Sequence, residues 1–145
     1  LGDVWLTLDV QHQWAGELTF KLVHPQGTVV RAMHRPGGEN GYPLLPEPGT
    51  KCPCGTPANF KAKNLIHFRD GQMNPPAFEI GKGLAFDQDI PSGTFMPDTP
   101  FSDLKGKLAA GEWSVCVGDT SDGMTNMTNP GDLLGAKIEI VRVKF

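Results

Sequence analysis

An all-β sandwich is the fold class that the sequence predicts, and three observations predict it. Apolar residues recur at every second position in several short segments, the period of a half-buried strand. The 145 residues include 18 glycines and 13 prolines, punctuation too dense for long helices and suited to short strands joined by turns. No segment sustains a 3.6-residue apolar stripe, and no internal repeat is present. Leu, Ile, Val and Phe number 35, about a quarter of the chain and above the ~20% below which chains tend to be disordered. The length suits one domain, residues 1–145, since domains fall most often near ~100–150 residues.

The strands follow in order. Val4, Leu6, Leu8 and Val10 alternate with Trp5, Thr7 and Asp9, which predicts a first strand. Leu18, Phe20 and Leu22 repeat the pattern, and residues 28–34 form its partner. Between them His24-Pro25-Gln26-Gly27 has the Pro and Gly placement of a type I turn, so residues 17–34 read as a hairpin. Pro36, Pro43, Pro46, Pro48, Pro53 and Pro57 mark residues 36–63 as a loop excursion, because proline removes ladder donors. Strand character returns from Asn64 to Phe68, and Phe78 to Phe86 is expected to hold a short, glycine-interrupted strand. Phe101, Leu104 and Leu108 share a helical face, but Gly106 limits them to a turn or a 3-10 piece. Trp113, Val115 and Val117 predict a further strand. In the last segment, Ile138 and Ile140 have one parity and Val141, Val143 and Phe145 the other. That conflict predicts a bulge near Ile140–Val141 or burial on both faces.

Charge and composition exclude several classes. Thirteen Lys and Arg against sixteen Asp and Glu give a net charge of −3 with no basic cluster, which argues against a nucleic-acid footprint. No apolar run approaches the ~18 residues of a membrane span. The chain opens at Leu1 without an initiator Met or a charged-then-apolar leader, as expected of a processed or excised piece.

Cys52-Pro53-Cys54 and Cys116 are the only cysteines. The spacing is too tight for a C-x-x-C metal or redox motif. The leading reading is one disulfide from Cys116 to Cys52 or Cys54, pinning the long loop to a core strand and indicating an oxidising compartment. Three free thiols or a metal site are the other readings. Asn126-Met127-Thr128 is a lone glycosylation sequon and decides nothing.

Two stretches resemble a known family. Residues 10–28 contain His12, Gly16-Glu17-Leu18, the alternation to Leu22, and His24-Pro25-Gln26-Gly27-Thr28; Arg35-Pro36-Gly37-Gly38 follows. Residues 92–123 contain Gly93-Thr94-Phe95-Met96-Pro97, Phe101 to Gly106, Gly111-Glu112-Trp113-Ser114-Val115-Cys116-Val117-Gly118-Asp119 and Asp122-Gly123. In order and spacing these are similar to the P domain (P/homo B domain) of subtilisin/kexin-like proprotein convertases. Three features depart from that family. Glu17 stands where its members usually carry Asp, residues 39–63 look like an insertion, and members usually begin with one more strand. The resemblance implies a jelly-roll-like (galactose-binding-like) β-sandwich of about eight strands, attached to a secreted serine endopeptidase of the subtilisin type or to another extracellular protein.

The candidate chemistry is modest. None of Ser92, Ser102, Ser114 or Ser121 lies in a nucleophile elbow, so no catalytic residue is expected and the chain by itself is not an enzyme. His12 matches the family's signature histidine and reads as a hydrogen bond fixing a turn, while His24 and His34 are expected to be exposed. Asp119 and Asp122, with Asn126 and nearby carbonyls, form a candidate calcium set of oxygen ligands. Glu17, Asp70, Asp87 and Asp89 form a second, and the resemblance adds that some bacterial P domains bind calcium. The plain alternative is that these residues satisfy turn backbones. Trp5, Trp14 and Tyr42 invite a sugar-stacking reading, against which stand roles in packing.

The expected function is a non-catalytic, secreted P domain that packs on and stabilises the catalytic domain of the same polypeptide, using an apolar docking patch. The alternative is an extracellular binding or adhesion module, recognising proteins or glycans with calcium, in a non-protease protein. The inserted loop motivates it.

Overall fold

The computed structural model describes residues 2–37, 55–119 and 131–142. These residues are mostly β and form two sheets. The strands are β1 (Asp3–Gln11), β2 (Leu18–Val23), β3 (Val29–His34), β4 (Ile66–Phe68), β5 (Gly93–Phe95), β6 (Ser114–Asp119) and β7 (Asp132–Val141). One sheet has the order β5-β4-β1-β7 and the other β3-β2-β6. All pairs are antiparallel except β4 with β5.

The two-residue period does the work expected of it. In β1, Val4, Leu6, Leu8 and Val10 are buried while the residues between them are half exposed. In β2, Leu18, Phe20 and Leu22 are buried. The two sets meet in a common core with Ile66 and Phe68 of β4. Phe20 binds the layers together, its ring lying 5.9 Å from Phe60 and 6.4 Å from Phe68, tilted and edge-on, arrangements that suit the aromatic quadrupole. Short 3-10 turns at Ala77–Glu79 and Phe101–Leu104 bury Ala77, Phe101 and Leu104 against the same core.

The β2–β3 hairpin has the expected turn. The Gly27 N–H donates to the His24 carbonyl at 2.8 Å, and Gly27 takes φ +89°, a conformation glycine adopts without steric cost. His24, however, is buried rather than exposed. Its Nδ1 accepts from the Gln26 N–H at 3.0 Å, so Nε2 carries the proton and donates to the Leu108 carbonyl at 2.7 Å. Its ring also meets Trp113 edge-on at 4.8 Å. A histidine with both nitrogens engaged can be buried at little cost. His34 is half-buried, its Nδ1 2.9 Å from the Thr19 hydroxyl.

Other expectations are corrected. The bulge in β7 is not at Ile140–Val141. Ile140, Ile138 and Ala136 pair with Val4, Leu6 and Leu8, and the register slips where Asp9 faces Gly135 and Val10 faces Leu133. Leu134 is therefore the extra residue, and Val141, opposite Asp3, simply faces outward at 51% exposure. A second slip leaves Ala32 as the extra residue of β3. Residues 78–86 form turns instead of a strand, while the unexpected β5 pairs in parallel with β4. Among the described residues Cys116 is a free, exposed cysteine. It faces outward opposite Lys21, so the expected disulfide tie to a core position is not found; Cys52 and Cys54 lie outside the described residues.

The excursion leaves and returns at one place. The Thr56 N–H donates to the Pro36 carbonyl at 2.8 Å, and the Gly37 N–H to the Phe78 carbonyl at 3.1 Å. Gly55, at φ +71°, lies so close to Gly16 that a Cβ would stand 2.9 Å from the Gly16 Cα.

Phe20→Ala is expected to cost about 3–5 kcal/mol in urea unfolding, whereas Val141→Ala, on the outer face, stays within about 0.5 kcal/mol. Gly55→Ala is expected to lower the melting temperature by several degrees, because both the positive φ and the Gly16 contact exclude a Cβ.

Candidate functional site

The chain passes from one sheet to the other between Gln11 and Leu18, and this crossing builds the site. His12 continues the inward parity of β1 beyond the last ladder residue. Its backbone pairs both ways with Phe60, N–H to carbonyl at 3.0 Å and carbonyl to N–H at 2.9 Å. Trp14 then takes φ 72°, reversing the chain into the 3-10 turn Ala15–Glu17. That turn is fixed by the Ala15 N–H to the Ala58 carbonyl at 2.8 Å and the Gly16 N–H to the Thr56 carbonyl at 2.9 Å. Leu18 opens β2 directly opposite Asp119, the last residue of β6.

The result is a cluster of three titratable side chains from three parts of the chain. His12, Glu17 and Asp119 each offer one ligand-type atom, and these atoms lie within 4.8 Å of one another. His12 is 3% exposed and Glu17 wholly buried, while the Asp119 side chain is 43% exposed. His12 Nε2 donates to Asp119 Oδ2 at 3.2 Å, and His12 Nδ1 is buried with no hydrogen-bond partner among the described residues. Gly131, just before β7, lies against the imidazole; a Cβ there would overlap the ring and stand 2.7 Å from the Gln11 carbonyl oxygen.

Beside the cluster opens a polar cleft of about 450 Å³. His12 and Gly131 form part of its wall, with Gln11, Asn59, Lys61 and Asp89. Lys61 and Asp89 form an ion pair at 3.2 Å in its lining. Asn59 is held by backbone bonds to Gln88 and Ile90, both 2.8 Å, and its Oδ1 is buried without a hydrogen-bond partner among the described residues.

Of the expected calcium ligands, Glu17 and Asp119 come together, although they were assigned to different sets. Asp70 is not with them: its carboxylate accepts the Phe101 and Ser102 N–H groups at 2.8 and 2.7 Å, capping a 3-10 turn. Asp89 pairs with Lys61, Asp87 is exposed at φ 63°, and Asp122 and Asn126 lie outside the described residues. His12 joins the carboxylates, a role beyond the turn-fixing one read from sequence. The signal was its parity, since a histidine at the buried positions of a strand needs partners for its ring nitrogens.

The tryptophans have neighbours of their own. The Arg69 guanidinium lies 3.9 Å from the Trp5 ring centroid, a cation–π contact. Trp14 packs on Phe86 at 5.8 Å, Trp113 Nε1 donates to the Ala109 carbonyl, and Tyr42 lies outside the described residues. None of the three tryptophans lines the cleft. No helix among the described residues is long and apolar enough to cross a membrane. Comparison of the chain with models of known protein families, with curated proteins and with solved structures finds no match.

Gly131→Ala is expected to displace the His12 ring and weaken its bond to Asp119. The expected loss is about 1–3 kcal/mol, with a changed His12 imidazole resonance in NMR.

Proposed function

We propose that this chain is a non-catalytic accessory domain of the P-domain type, packing on and stabilising the catalytic domain of a secreted subtilisin-like serine endopeptidase. The motif order from His12 to Gly27 and from Gly93 to Asp122 supports the family, and a two-sheet β architecture is compatible with its jelly-roll-like fold. The observation that carries the docking role is an open apolar flank. Among the described residues β6 and β7 are edge strands of the two sheets, and Asp119 and Gly131, at their adjoining ends, both meet His12. Val117 and Leu133 have inward parity, opposite Phe20 and Val10, yet they are 42% and 40% exposed. The bulged Leu134 beside them is 51% exposed. Side chains built for a core but left in water favour burial against another protein surface.

The test is made in the parent polypeptide. Val117→Glu and Leu133→Glu are expected to lower the melting temperature of the adjoining protease domain and to cut its activity severalfold after heating. A parent chain without a subtilisin-type domain, or one indifferent to both substitutions, overturns the reading.

A second reading follows from the polar cleft. An extracellular module that recognises a small polar ligand, a glycan included, would use Gln11, Asn59 and Lys61 for orientation. It predicts that Asn59→Ala abolishes binding in a glycan screen and leaves protease-domain stability unchanged.

A further inference from the structure

The geometry points to a structural site for a borderline divalent cation of the Zn²⁺ class, held by His12, Glu17 and Asp119 and clamping the two sheets at one end. This inference goes beyond the accessory reading and does not depend on it.

Three arguments support it. The first is the donor set: one imidazole nitrogen and two carboxylates suit Zn²⁺ and its first-row neighbours, whereas Ca²⁺ takes oxygen ligands. The second is spacing. An ion with bonds of ~2.0–2.1 Å sets neighbouring tetrahedral ligands about 3.3 Å apart, and His12 Nε2 stands 3.2 Å from Asp119 Oδ2. All three ligand-type atoms lie within 4.8 Å, so small side-chain rotations bring them onto one ion. The third is the environment. The ring supplying the nitrogen ligand is 3% exposed, while the half-exposed Asp119 leaves a solvent side from which water completes the coordination.

The placement gives the ion a purpose. His12 leaves β1 of one sheet, whereas Glu17 enters β2 and Asp119 ends β6 of the other. An ion joining them ties both layers at the end of the sandwich where the two edge strands converge. Binding to the folded state alone adds stability by mass action.

The experiment uses the tag-free, metal-stripped chain, titrated calorimetrically with ZnCl₂ and, separately, CaCl₂, with CoCl₂ as a spectroscopic probe. One Zn²⁺ per chain is expected, with a melting temperature raised by several degrees. Co²⁺ should give visible d–d bands without a thiolate charge-transfer band. Asp119→Asn, at a half-exposed position where the fold tolerates the change, is expected to weaken Zn²⁺ binding by more than about tenfold, and His12→Gln likewise. The proposal is overturned by no Zn²⁺ binding, by unchanged affinity in Asp119→Asn, by a response to Ca²⁺ alone, or by a thiolate band placing the metal on the cysteines.

Discussion

The crossing from β1 to β2 constrains the rest of the molecule. Between Gln11 and Leu18 the chain must leave one layer and enter the other, with no regular ladder to satisfy its backbone. It does so by borrowing partners from the returning part of the long excursion: Phe60 for His12, Ala58 for Ala15 and Thr56 for Gly16. Each bond is at or near 3 Å, and buried N–H groups left without such partners would be costly. The same contacts fix where the excursion returns, because Gly55 can lie on Gly16 only while Gly55 has no side chain. Crossing, loop closure and functional end are thus one structural unit.

The layers are sealed unequally. Around β1, β2 and β4 the inward positions are fully buried, and Phe20 reaches across to Phe60 and Phe68. Along β6 and β7 the same inward parity leaves Val117 and Leu133 substantially exposed, because nothing described lies beyond an edge strand to cover them. The bulge at Leu134 adds to this, turning the start of β7 relative to its partner. The exposed flank and the polar cleft are therefore neighbours, meeting at Asp119 and Gly131.

At that junction one interaction joins residues 107 positions apart, the bond from His12 to Asp119. It links the first strand to the sixth and sets the imidazole between a buried and a half-exposed carboxylate. Two separate oxygen-only calcium sets, one with Asp119 and one with Glu17, were the expectation while neither carboxylate was seen beside His12. The imidazole changes the chemistry of the set, because a nitrogen donor favours a softer cation.

Local period determined a great deal. β1, β2 and β6 were legible because alternation over five or more residues specifies a strand and its two faces, and β3 was legible as the partner of β2 across the hairpin turn. The turn at His24–Gly27 and the excursion were legible because Pro and Gly act on their own backbone. Two of the three clustered residues were legible as well, since Glu17 and Asp119 were candidates on residue type alone. Tertiary structure decided what depends on distant partners. β5 is too short to show a period and exists through β4; His24 is buried because the Leu108 carbonyl receives its proton; Asp70 caps a turn 31 residues away. The parity conflict at the C-terminal end was visible, but neither a bulge at Ile140–Val141 nor burial on both faces resolves it, because pairing with Asp3 leaves Val141 exposed. The union of His12 with both carboxylates likewise required two sheets to meet at one end. A sequence pattern reports the period of its own segment, whereas the partner across the sandwich is fixed only when the layers pack.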